Sequence, residues 1–285
     1  MILVDMNQVT ISNLMMQVVN QKDNEVNEDM VRHMVLNALR SYRSKFYEEY
    51  GELVICYDGR NYWRREIFPF YKQNRKKTRE SSNLDWDDIF KTLNKIRDEI
   101  KEVFPYKVLE VENAKADDII ASIIFHTAKN PLPENVLIIS SDKDFFQLQT
   151  HSFVKQYSPI LKKFVSGADP TEYIKVHVLK GDRGDGIPNF LSPDNTFVDN
   201  LRQKPLGANK IDKLIQQEPE NFCNEELLRN YQRNQRLIDL SFVPSELQDR
   251  ILQQFKEVKC GNRSGLLNYF IKNRLKNLTE SLSDF

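Results

Sequence analysis

The 285-residue sequence has few cysteines and histidines, no net charge and no long apolar run. Its three cysteines, Cys56, Cys223 and Cys260, are scattered and odd in number, which favours reduced thiols over a disulfide framework or a zinc site. The four histidines show no metal-ligand spacing. The longest apolar runs fall well short of the roughly 18 residues that a membrane span needs, and Asp5 breaks the apolar start. We therefore expect a cytoplasmic protein without membrane contact.

The charges balance, with 41 basic and 41 acidic residues, but they are unevenly distributed. Between residues 60 and 79 a single acid, Glu66, stands among the basic residues Arg60, Arg64, Arg65, Lys72, Arg75, Lys76, Lys77 and Arg79. Aromatic residues alternate with them. An isolated basic run is usually a solvated helix face. Basic groups interleaved with rings favour instead a surface for single-stranded or frayed nucleic acid, where phosphates and bases are both contacted.

Three short apolar segments each lead into aspartates, namely residues 2–4 before Asp5, residues 53–57 before Asp58, and residues 136–139, two serines ahead of Asp142 and Asp144. Such runs, bounded by turn formers, are typical of strands buried on both faces of a parallel sheet. Stretches with helical spacing lie between them, at residues 30–50 and 86–104, which predicts an α/β fold. Because parallel strands share one carboxyl edge, these aspartates should converge.

Asp117 and Asp118 precede a further apolar helical pattern and should lie in the first turn of that helix. One aspartate at a helix start or strand end is usually a cap or a turn former. Many carboxylates at one edge, however, would repel each other unless cations neutralised them. Oxygen ligands without histidine or cysteine favour Mg²⁺ or Mn²⁺. The sequence therefore predicts a site for hard divalent cations.

The segment GDRGDGIP supplies Asp182 and Asp185 after a helix that should begin at residues 169–170, with aspartate as cap and proline in the first turn. It either brings both aspartates to the first cluster or forms a simple surface turn. Residues 190–205 have the composition of an irregular loop, and helical spacing resumes at residues 206–215. Glycine-rich turns beside lysines can offer backbone N–H groups to phosphates.

These motifs resemble the family of flap endonucleases and bacterial and phage 5′-nucleases. Six segments carry the resemblance, in the family's order and with similar spacing: LVDMN, ICYDG, YKQNRKK, KADD, SSDKDF and GDRGDGIP. The Asp-x-Asp element alone is a weak signal, whereas six ordered motifs are a strong one. WRREIFPFYKQNRKKTRESSNLDWDD, SPILKKFV and LIDLSFVP resemble more loosely the ribonuclease H group of T-even-like phages.

The resemblance implies an α/β nuclease core in residues 1–180, with a mixed, mainly parallel sheet flanked by helices as in PIN and 5′-nuclease domains and a helical arch around residues 60–90. It implies a helical DNA-binding region in residues 181–285, with a helix–three-turn–helix element around residues 178–215. The implied activity is 5′→3′ exonuclease and flap endonuclease cleavage of DNA and RNA·DNA duplexes, which removes primers during DNA replication.

The implied partners are flapped and nicked DNA and RNA·DNA duplexes. A phage single-stranded DNA-binding protein and a sliding clamp are candidate protein partners, and the chain should act as a monomer in the host cytoplasm. Because Asp5 stands almost at the start of the sequence, a partner site on the N-terminal extension of some phage relatives is not expected here.

Carried over by motif, two Mg²⁺ ions, replaceable by Mn²⁺, would be bound by Asp5, Asp58, Asp117, Asp118, Asp142, Asp144, Asp182 and Asp185. The residues implied to contact nucleic acid are Tyr71, Lys72, Arg75, Lys76, Lys77, Arg79, Lys210 and Lys213. The implied catalytic residues are Asp58, Asp144, Lys72 and Arg75. The aspartates would position the ions, the Lys72 side chain would stabilise charge on the phosphate, and the Tyr71 ring would stack on a base.

Two features depart from the family pattern. The usual Glu-Ala-Asp-Asp begins here with Lys115, and the loop at residues 190–205 interrupts the usual glycine-rich hairpin, which leaves the downstream DNA contacts and a potassium site open. If the Lys115 side chain points inward, the site is two charges less negative, so one ion should bind weakly and Glu112 becomes a substitute ligand. If it points to solvent, little changes.

Two other classes of function compete with the nuclease. A nucleic-acid-binding protein without catalysis is compatible with the lysine at position 115. A Mg²⁺-dependent phosphatase of the haloacid dehalogenase class also uses aspartates, but it needs Asp-x-Asp directly after its first strand. Here residues 5–7 are Asp-Met-Asn, and Asp-x-Asp occurs at residues 142–144. The sequence therefore favours the nuclease.

Overall fold

A computed structural model describes residues 1–19, 27–80, 84–167 and 169–285, without the side chains of residues 16–19, 76–78 and 80. The described residues form one six-stranded sheet with helices on both faces. The strands are β1 (Ile2–Asp5), β2 (Leu53–Tyr57), β3 (Lys107–Glu110), β4 (Val136–Ile139), β5 (Val154–Ser158) and β6 (Lys163–Val165). The predicted strands at β1, β2 and β4 are confirmed; β3, β5 and β6 lack a continuous apolar run and had not been predicted.

The strand order is β3-β2-β1-β4-β5-β6, and every pairing is parallel except that of β5 with β6. This confirms the prediction of a mixed, mainly parallel sheet. In chain order, β2 pairs with one side of β1, and β3 pairs with β2. The next strand, β4, pairs with the other side of β1. The order reverses between β1 and β4, and the crevice at such a reversal is where open α/β sheets bind their ligands.

The helices are α1 (Met6–Val19), α2 (Glu28–Tyr50), α3 (Arg64–Ile67), α4 (Gln73–Glu80), α5 (Trp86–Val103), α6 (Ala116–Thr127), α7 (Pro170–Lys180), α8 (Ala208–Leu214), α9 (Glu225–Ile238), α10 (Ser245–Glu257), α11 (Leu266–Lys272) and α12 (Lys276–Thr279). The Asp169 side chain caps α7, as its Asp-Pro start predicts. Residues 188–207 lie outside α-helices and strands, as predicted for the loop at residues 190–205. No described helix is long and apolar enough to span a bilayer.

Each face of the sheet has its own apolar core because side chains alternate along a strand. One core joins residues such as Val4 and Ile55 to α2, α5, α11 and α12, and it includes the buried Phe270 and Phe285. The other joins Leu3 to α6 and α10. The last twenty residues thus pack against the same face of the sheet as α2 and α5. The division into residues 1–180 and a helical DNA-binding region at residues 181–285 stays a prediction.

Candidate active site at the carboxyl edge of the sheet

Carboxylates from three parallel strands meet where the strand order reverses. The Asp5 side chain, at the end of β1, accepts a hydrogen bond from Ser140 Oγ at 2.9 Å, just beyond β4. Asp58 follows β2 and accepts a hydrogen bond from the backbone N–H of Ala116 at 2.8 Å, at the start of α6. Burial, reinforced by the negative charges of Asp58 and then Asp142, raises the pKa of Asp5 to about 7. The predicted convergence of these strand-end aspartates is therefore what the structure shows.

Asp142 and Asp144 lie at the start of the 3₁₀ helix that follows β4, where the Asp142 side chain accepts a hydrogen bond from the backbone N–H of Asp144 at 3.0 Å. The pKa of Asp144 rises to about 8, first through burial and then through the charge of Asp142. Among the described residues, Asp5, Asp58 and Asp142 form no ion pair with a basic side chain. We call Asp5, Asp58, Asp142 and Asp144 the open half of the site, because in the described part of the chain the one basic group within ion-pair distance of any of them is a histidine.

That histidine is His177 on α7. Its Nδ1 atom lies 3.4 Å from Asp144 Oδ1, and its Nε2 atom lies 3.7 Å from Asp182 Oδ2. Burial opposes a positive charge on this imidazole, but Asp182 and Asp144 outweigh it and raise its pKa. The Nδ1 atom is buried and has no hydrogen-bond partner. One ligand atom from each of the three residues lies within 4.8 Å of the others, which is a spacing that a metal ion can bridge.

Lys115 points into the site. Its side chain is buried, and its Nζ atom lies 2.5 Å from Asp117 Oδ2. Burial alone would raise the pKa of Asp117, but the ammonium of Lys115 and the guanidinium of Arg64 lower it to about 2. The alternative that this lysine points to solvent is therefore wrong. Glu112, the predicted substitute ligand, is exposed and accepts a hydrogen bond from Asn61 Nδ2 at 2.7 Å.

Asp118 forms a buried ion pair. It has no exposed surface, and Arg64 Nη1 lies 2.8 Å from its Oδ1 and 3.0 Å from its Oδ2. The Oδ2 atom also accepts hydrogen bonds from Trp63 Nε1 at 3.2 Å and from the backbone N–H of Lys115 at 2.9 Å. Both oxygens are thus already occupied by protein donors. These contacts give no support to the prediction that Asp118 binds a metal. They connect the start of α6 to α3 and to Trp63, the residue before it.

Asp185 is bound to the start of the predicted arch. Its Oδ1 atom lies 2.6 Å from Arg75 Nη2 and 3.6 Å from Lys72 Nζ, and its Oδ2 atom accepts a hydrogen bond from Tyr71 Oη at 2.7 Å. Burial raises the pKa of Asp185, but the charges of Lys72 and its neighbours outweigh it and hold the pKa well below its usual range. Gly186, with a φ of 77°, allows the backbone carbonyl of Asp185 to accept the N–H of Lys72 at 2.8 Å.

We call Asp117, Asp118 and Asp185 the paired half of the site, because each carboxylate is matched by at least one basic side chain. The Lys72 ammonium lies between the two halves. Burial and then the charge of Lys115 lower its pKa to about 8, whereas Asp185 and Asp58 favour its charged form. A buried cation beside an acidic cluster suits the binding of a phosphate, which must be attracted to a negatively charged site.

Tyr71 does not have the role that the sequence predicted. Its side chain is 1% exposed and packs with Phe68 and Ile187, so it cannot stack on a base. Tyr62 is partly exposed instead, with Oη 3.4 Å from Asp58 Oδ2 and with Lys72 Nζ 5.5 Å from its ring centre. In the sequence, Tyr62 is one of the aromatic residues that alternate with the basic residues between positions 60 and 79. Its position at the end of ICYDGRNY, four residues after Asp58, is the signal that could have selected it.

The other predicted nucleic-acid contacts are more scattered. Lys76 and Lys77 lie in α4, but their side chains fall outside the described part of the structure. Arg79 is exposed on the same helix, with its guanidinium 5.6 Å from the ring centre of Phe90. Lys210 and Lys213 are exposed on α8. Residues 81–83, in the middle of the predicted arch, lie outside the described residues, so the arch remains a prediction beyond α4.

Comparison with protein-family models settles the membership of the chain. Residues 1–176 match the 5′-3′ exonuclease N-terminal resolvase-like domain, and residues 169–285 match the C-terminal domain of T4 RNase H. The chain belongs to the 5′-3′ exonuclease family. The resemblance drawn from its six motifs is thereby confirmed, and this family member is an enzyme of the 5′ nuclease type.

Proteins of similar sequence carry names that fit this family. The chain is 32% identical to the ribonuclease H of Enterobacteria phage T4, over 99% of its own length and 95% of that protein. It is 30% identical to a 5′-3′ exonuclease of Buchnera aphidicola over 50% of each chain, and 28% identical to the flap endonuclease Xni of a Shewanella strain over 48% of this chain and 52% of that one. The first relative extends the match through the C-terminal region.

Solved structures share the fold. The T5 D15 protein co-crystallised with metal ions superposes with a TM-score of 0.61 at 17% identity, covering 90% of this chain and 98% of that one. The T5 5′-exonuclease with bound zinc ions gives the same values. At this identity the likeness establishes the fold alone. It is the fold expected of the family: a mainly parallel sheet with helices on both faces.

Proposed function

We propose that this family member is a structure-specific 5′ nuclease that uses two divalent cations to hydrolyse phosphodiester bonds, acting as a 5′→3′ exonuclease and flap endonuclease that removes replication primers. One observation carries the proposal. The four carboxylates of the open half converge at the strand reversal, and among the described residues Asp5, Asp58 and Asp142 form no ion pair while Asp144 faces the imidazole of His177. The buried Lys72 lies nearby. Such an arrangement is stable when cations supply the missing positive charge.

The residues of this edge fit Mg²⁺ or Mn²⁺. The open half offers carboxylate oxygens, which are the ligands that hard cations prefer. Among the described residues the buried His177 Nδ1 has no hydrogen-bond partner, and one nitrogen of this ring lies within bridging distance of Asp144 and Asp182. The proposed ligands are therefore Asp5, Asp58, Asp142, Asp144 and Asp182, with His177 as an additional donor. Bound divalent cations in such sites activate a water molecule and stabilise the leaving oxygen.

The side chains of the chain itself would bind and orient the substrate. The Lys72 ammonium is positioned to contact the reacting phosphate, where it stabilises the negative charge that develops in the transition state. The Tyr62 ring stands beside Asp58 and is available to stack against a terminal base. Arg75 holds Asp185 and leaves half of its own side chain exposed, so it can also reach a phosphate. Asp117 and Asp118 keep the start of α6 in place.

The substrates proposed are flapped or nicked DNA and RNA·DNA duplexes. The names of the relatives support this choice, since they include a ribonuclease H and flap endonucleases. A neighbouring structure is a complex of the T5 D15 flap endonuclease with DNA and metal ions. A single-stranded DNA-binding protein and a sliding clamp remain proposed partners, and the host cytoplasm remains the proposed location.

The test is incubation with end-labelled flap, nicked and RNA·DNA substrates in Mg²⁺, Mn²⁺ or EDTA. We expect short 5′ products that appear with either ion and disappear with EDTA. A chain that binds these substrates but leaves them intact in Mg²⁺ and Mn²⁺ would be a nucleic-acid-binding protein without catalysis. A chain that releases phosphate from a simple phosphomonoester while leaving the duplexes uncut would be a phosphatase.

A further inference from the structure

One side chain of the acidic edge is a nitrogen donor. His177 lies on α7, between Asp144 in the 3₁₀ helix after β4 and Asp182 in the turn after α7. Its Nδ1 atom lies 3.4 Å from Asp144 Oδ1, and its Nε2 atom lies 3.7 Å from Asp182 Oδ2. Each of the three side chains offers one ligand atom within 4.8 Å of the other two. A nitrogen therefore stands in a site for which the sequence predicts oxygen ligands.

The two contacts of the His177 ring are long for hydrogen bonds. Hydrogen bonds between an imidazolium and a carboxylate have nitrogen–oxygen distances of about 2.7–2.9 Å, and neutral ones rarely exceed about 3.2 Å. Both distances in this site are longer. In the described part of the chain the buried Nδ1 atom has no hydrogen-bond partner, although buried polar atoms almost always have one. The ring thus lies beside two carboxylates without a close hydrogen bond to either.

The same spacing suits ligands of one metal ion. Histidine nitrogens and carboxylate oxygens bind ions such as zinc at about 2.0–2.2 Å, so two of them at tetrahedral or octahedral angles lie about 2.8–3.6 Å apart. The separation of His177 Nδ1 and Asp144 Oδ1 falls in this range. Asp182 Oδ1 accepts the backbone N–H groups of Gly184 at 2.6 Å and Asp185 at 3.1 Å, and its Oδ2 faces the ring. A cation here would be the partner that Nδ1 lacks.

Packing fixes the direction of the His177 ring. Tyr173, one turn earlier on α7, contacts it edge to face with ring centres 5.6 Å apart. The ring of Tyr173 packs in the same way on Phe146, also at 5.6 Å. Phe146 belongs to the same 3₁₀ helix as Asp144, so one set of contacts positions both ligands. Donors that are already in place lose less entropy when an ion binds.

A nitrogen ligand changes which ions a site prefers. Mg²⁺ binds oxygen atoms and keeps several water molecules, whereas an imidazole suits transition-metal ions. Mn²⁺ accepts both kinds of ligand, and the affinity of a mixed site rises from Mn²⁺ to Co²⁺. At the other end of the open half, Asp5 and Asp58 contact a serine hydroxyl and a backbone N–H group and offer carboxylate oxygens. The two ends therefore differ in ligand chemistry.

We propose that His177, together with Asp144 and Asp182, selects Mn²⁺ and similar transition-metal ions over Mg²⁺ at this position. The inference rests on the proposed function, which places cations at this edge of the sheet, and adds the kind of ion that one position takes. His177 lies outside the six motifs that carry the family resemblance, so the preference belongs to this chain. The competing role for the ring is that of a protonated counter-charge to the two aspartates.

The first measurement detects the nitrogen directly. The full chain is loaded with substoichiometric Mn²⁺, and pulsed electron paramagnetic resonance records the coupling of the ion to nitrogen nuclei. We expect imidazole coupling in the wild type and its loss in His177→Gln. His126→Gln is the matched control and should keep the coupling, because His126 lies in the last turn of α6, about 15 Å along that helix from its start at the site. A wild type without nitrogen coupling overturns the inference, whatever the variants do.

The second measurement compares two ions by calorimetry, in proteins whose folding is checked by thermal melting in EDTA. Loss of a residue that merely supports a ligand weakens metal binding by about 10–100-fold, so His177→Gln should weaken the tighter Mn²⁺ site by at least about tenfold. Mg²⁺ binding should change by less than about threefold, because Mg²⁺ gains little from the imidazole. His177→Lys keeps a positive charge without a free donor atom, and it should lose the preference for Mn²⁺ as well.

The outcomes separate this inference from the proposed function. If His177→Lys keeps the wild-type ratio of Mn²⁺ to Mg²⁺ affinity, the ring is a counter-charge and the inference is wrong. Equal changes of both affinities in His177→Gln would also contradict it. A wild type that cleaves flap substrates without nitrogen coupling keeps the nuclease function and removes the inference. Nitrogen coupling in a chain that leaves these substrates uncut supports the inference and contradicts the proposed function.

Discussion

The two halves of the acidic site both consist of aspartates, but they differ in whether basic side chains of the protein compensate the negative charges. In the paired half, Arg64, Lys115 and Arg75 neutralise Asp118, Asp117 and Asp185 at distances of 2.8, 2.5 and 2.6 Å. In the open half, burial and mutual repulsion instead raise the pKa values of Asp5 and Asp144 to about 7 and 8. The charges of the first half are matched within the protein, whereas the second half is where we propose that divalent cations bind.

This contrast explains how one edge of a sheet can hold so many carboxylates. A buried ion pair that loses one partner leaves an uncompensated charge, which is strongly destabilising. An unpaired carboxylate that loses its charge relieves repulsion. Substitutions in the paired half should therefore damage the fold, and substitutions in the open half should damage metal binding and catalysis.

The largest effect is expected for Asp144→Asn. This variant removes a proposed metal ligand of the open half, and cleavage should fall by at least about a thousandfold, roughly 4 kcal/mol in activation free energy. Binding of the flap substrate should change little, and the metal-free protein should be no less stable than the wild type. The measurement is single-turnover cleavage beside anisotropy and thermal melting. Near-normal turnover at saturating Mg²⁺ would remove the two-metal hypothesis.

The second largest effect is expected on the free energy of unfolding, for a substitution in the paired half. Arg64→Met leaves Asp118 buried without its guanidinium, and the free energy of unfolding should fall by about 3–5 kcal/mol. The neighbouring Arg65→Met is the matched control, because that side chain is exposed and should cost no more than about 0.5 kcal/mol. Urea unfolding measures both. Equal stability of the two variants would mean that the Arg64–Asp118 pair does not hold α3 to α6.

Lys72 lies between the two halves and should affect the chemical step. Lys72→Ala should lower the single-turnover rate roughly a hundredfold, on the order of the loss of one group that stabilises transition-state charge, while affinity changes little. Lys77→Ala is the comparison, because a lysine that only attracts phosphates should weaken binding and flatten its salt dependence. Equal effects of both substitutions on rate and on affinity would show that this division of roles is wrong.

The two halves should also differ in their response to pH. Asp5 and Asp144 have raised pKa values, so between about pH 4 and 8 the folded metal-free protein binds protons that the unfolded chain has released. Its stability should therefore fall as the pH rises, by up to about 1.4 kcal/mol per unit for each group. The raised pKa of His177 acts in the same direction.

Asp117 and Asp185 of the paired half should contribute no slope over that range, whereas burial raises the pKa of Asp118, which adds to the decline. The pKa values of Asp117 and Asp185 are lowered, so their contribution to stability is complete above about pH 4 and is lost only as the pH falls further. Melting temperatures in EDTA should thus decline from pH 5.5 to 8.5, and excess Mg²⁺ should reduce the decline. A melting temperature that rises over this range, or the same decline in Asp5→Asn, would contradict the assignment.

The sequence predicted the open half better than the paired half, for a physical reason. Asp5, Asp58 and Asp142 follow apolar strands, and the geometry of a parallel sheet brings such positions together whatever else the chain contains. The pairing of Arg64 with Asp118 joins residues 54 positions apart through α3, which no local pattern specifies. Lys115 could be identified as a departure from the family motif, but its direction depends on packing around the start of α6.

The positions of His177 and Tyr71 could not be predicted from the sequence, for related reasons. His177 has no neighbour with metal-ligand spacing in the sequence, and it reaches Asp144 only because α7 packs against the 3₁₀ helix after β4. Tyr71 belongs to the basic and aromatic run, yet its ring fills a small core with Phe68 and Leu237. The loop at residues 190–205 was predicted from its composition, whereas the hydrogen bonds that join Ser192 to Asn189 and Lys204 could not be predicted. In each of these cases the position of the side chain depends on burial and on contacts between residues far apart in the sequence.

The most direct test of the two-halves account is titration of Mn²⁺ or Mg²⁺ into the wild type and Lys115→Glu by calorimetry. If the Lys115 ammonium takes the place of a cation beside Asp117, the substitution makes the site two charges more negative, and the weaker ion should bind about tenfold or more tightly. Lys259→Glu, an exposed lysine outside the site, controls for the change in net charge. Identical isotherms for the wild type and Lys115→Glu would contradict the account, because they would show that this buried cation does not influence the metal site.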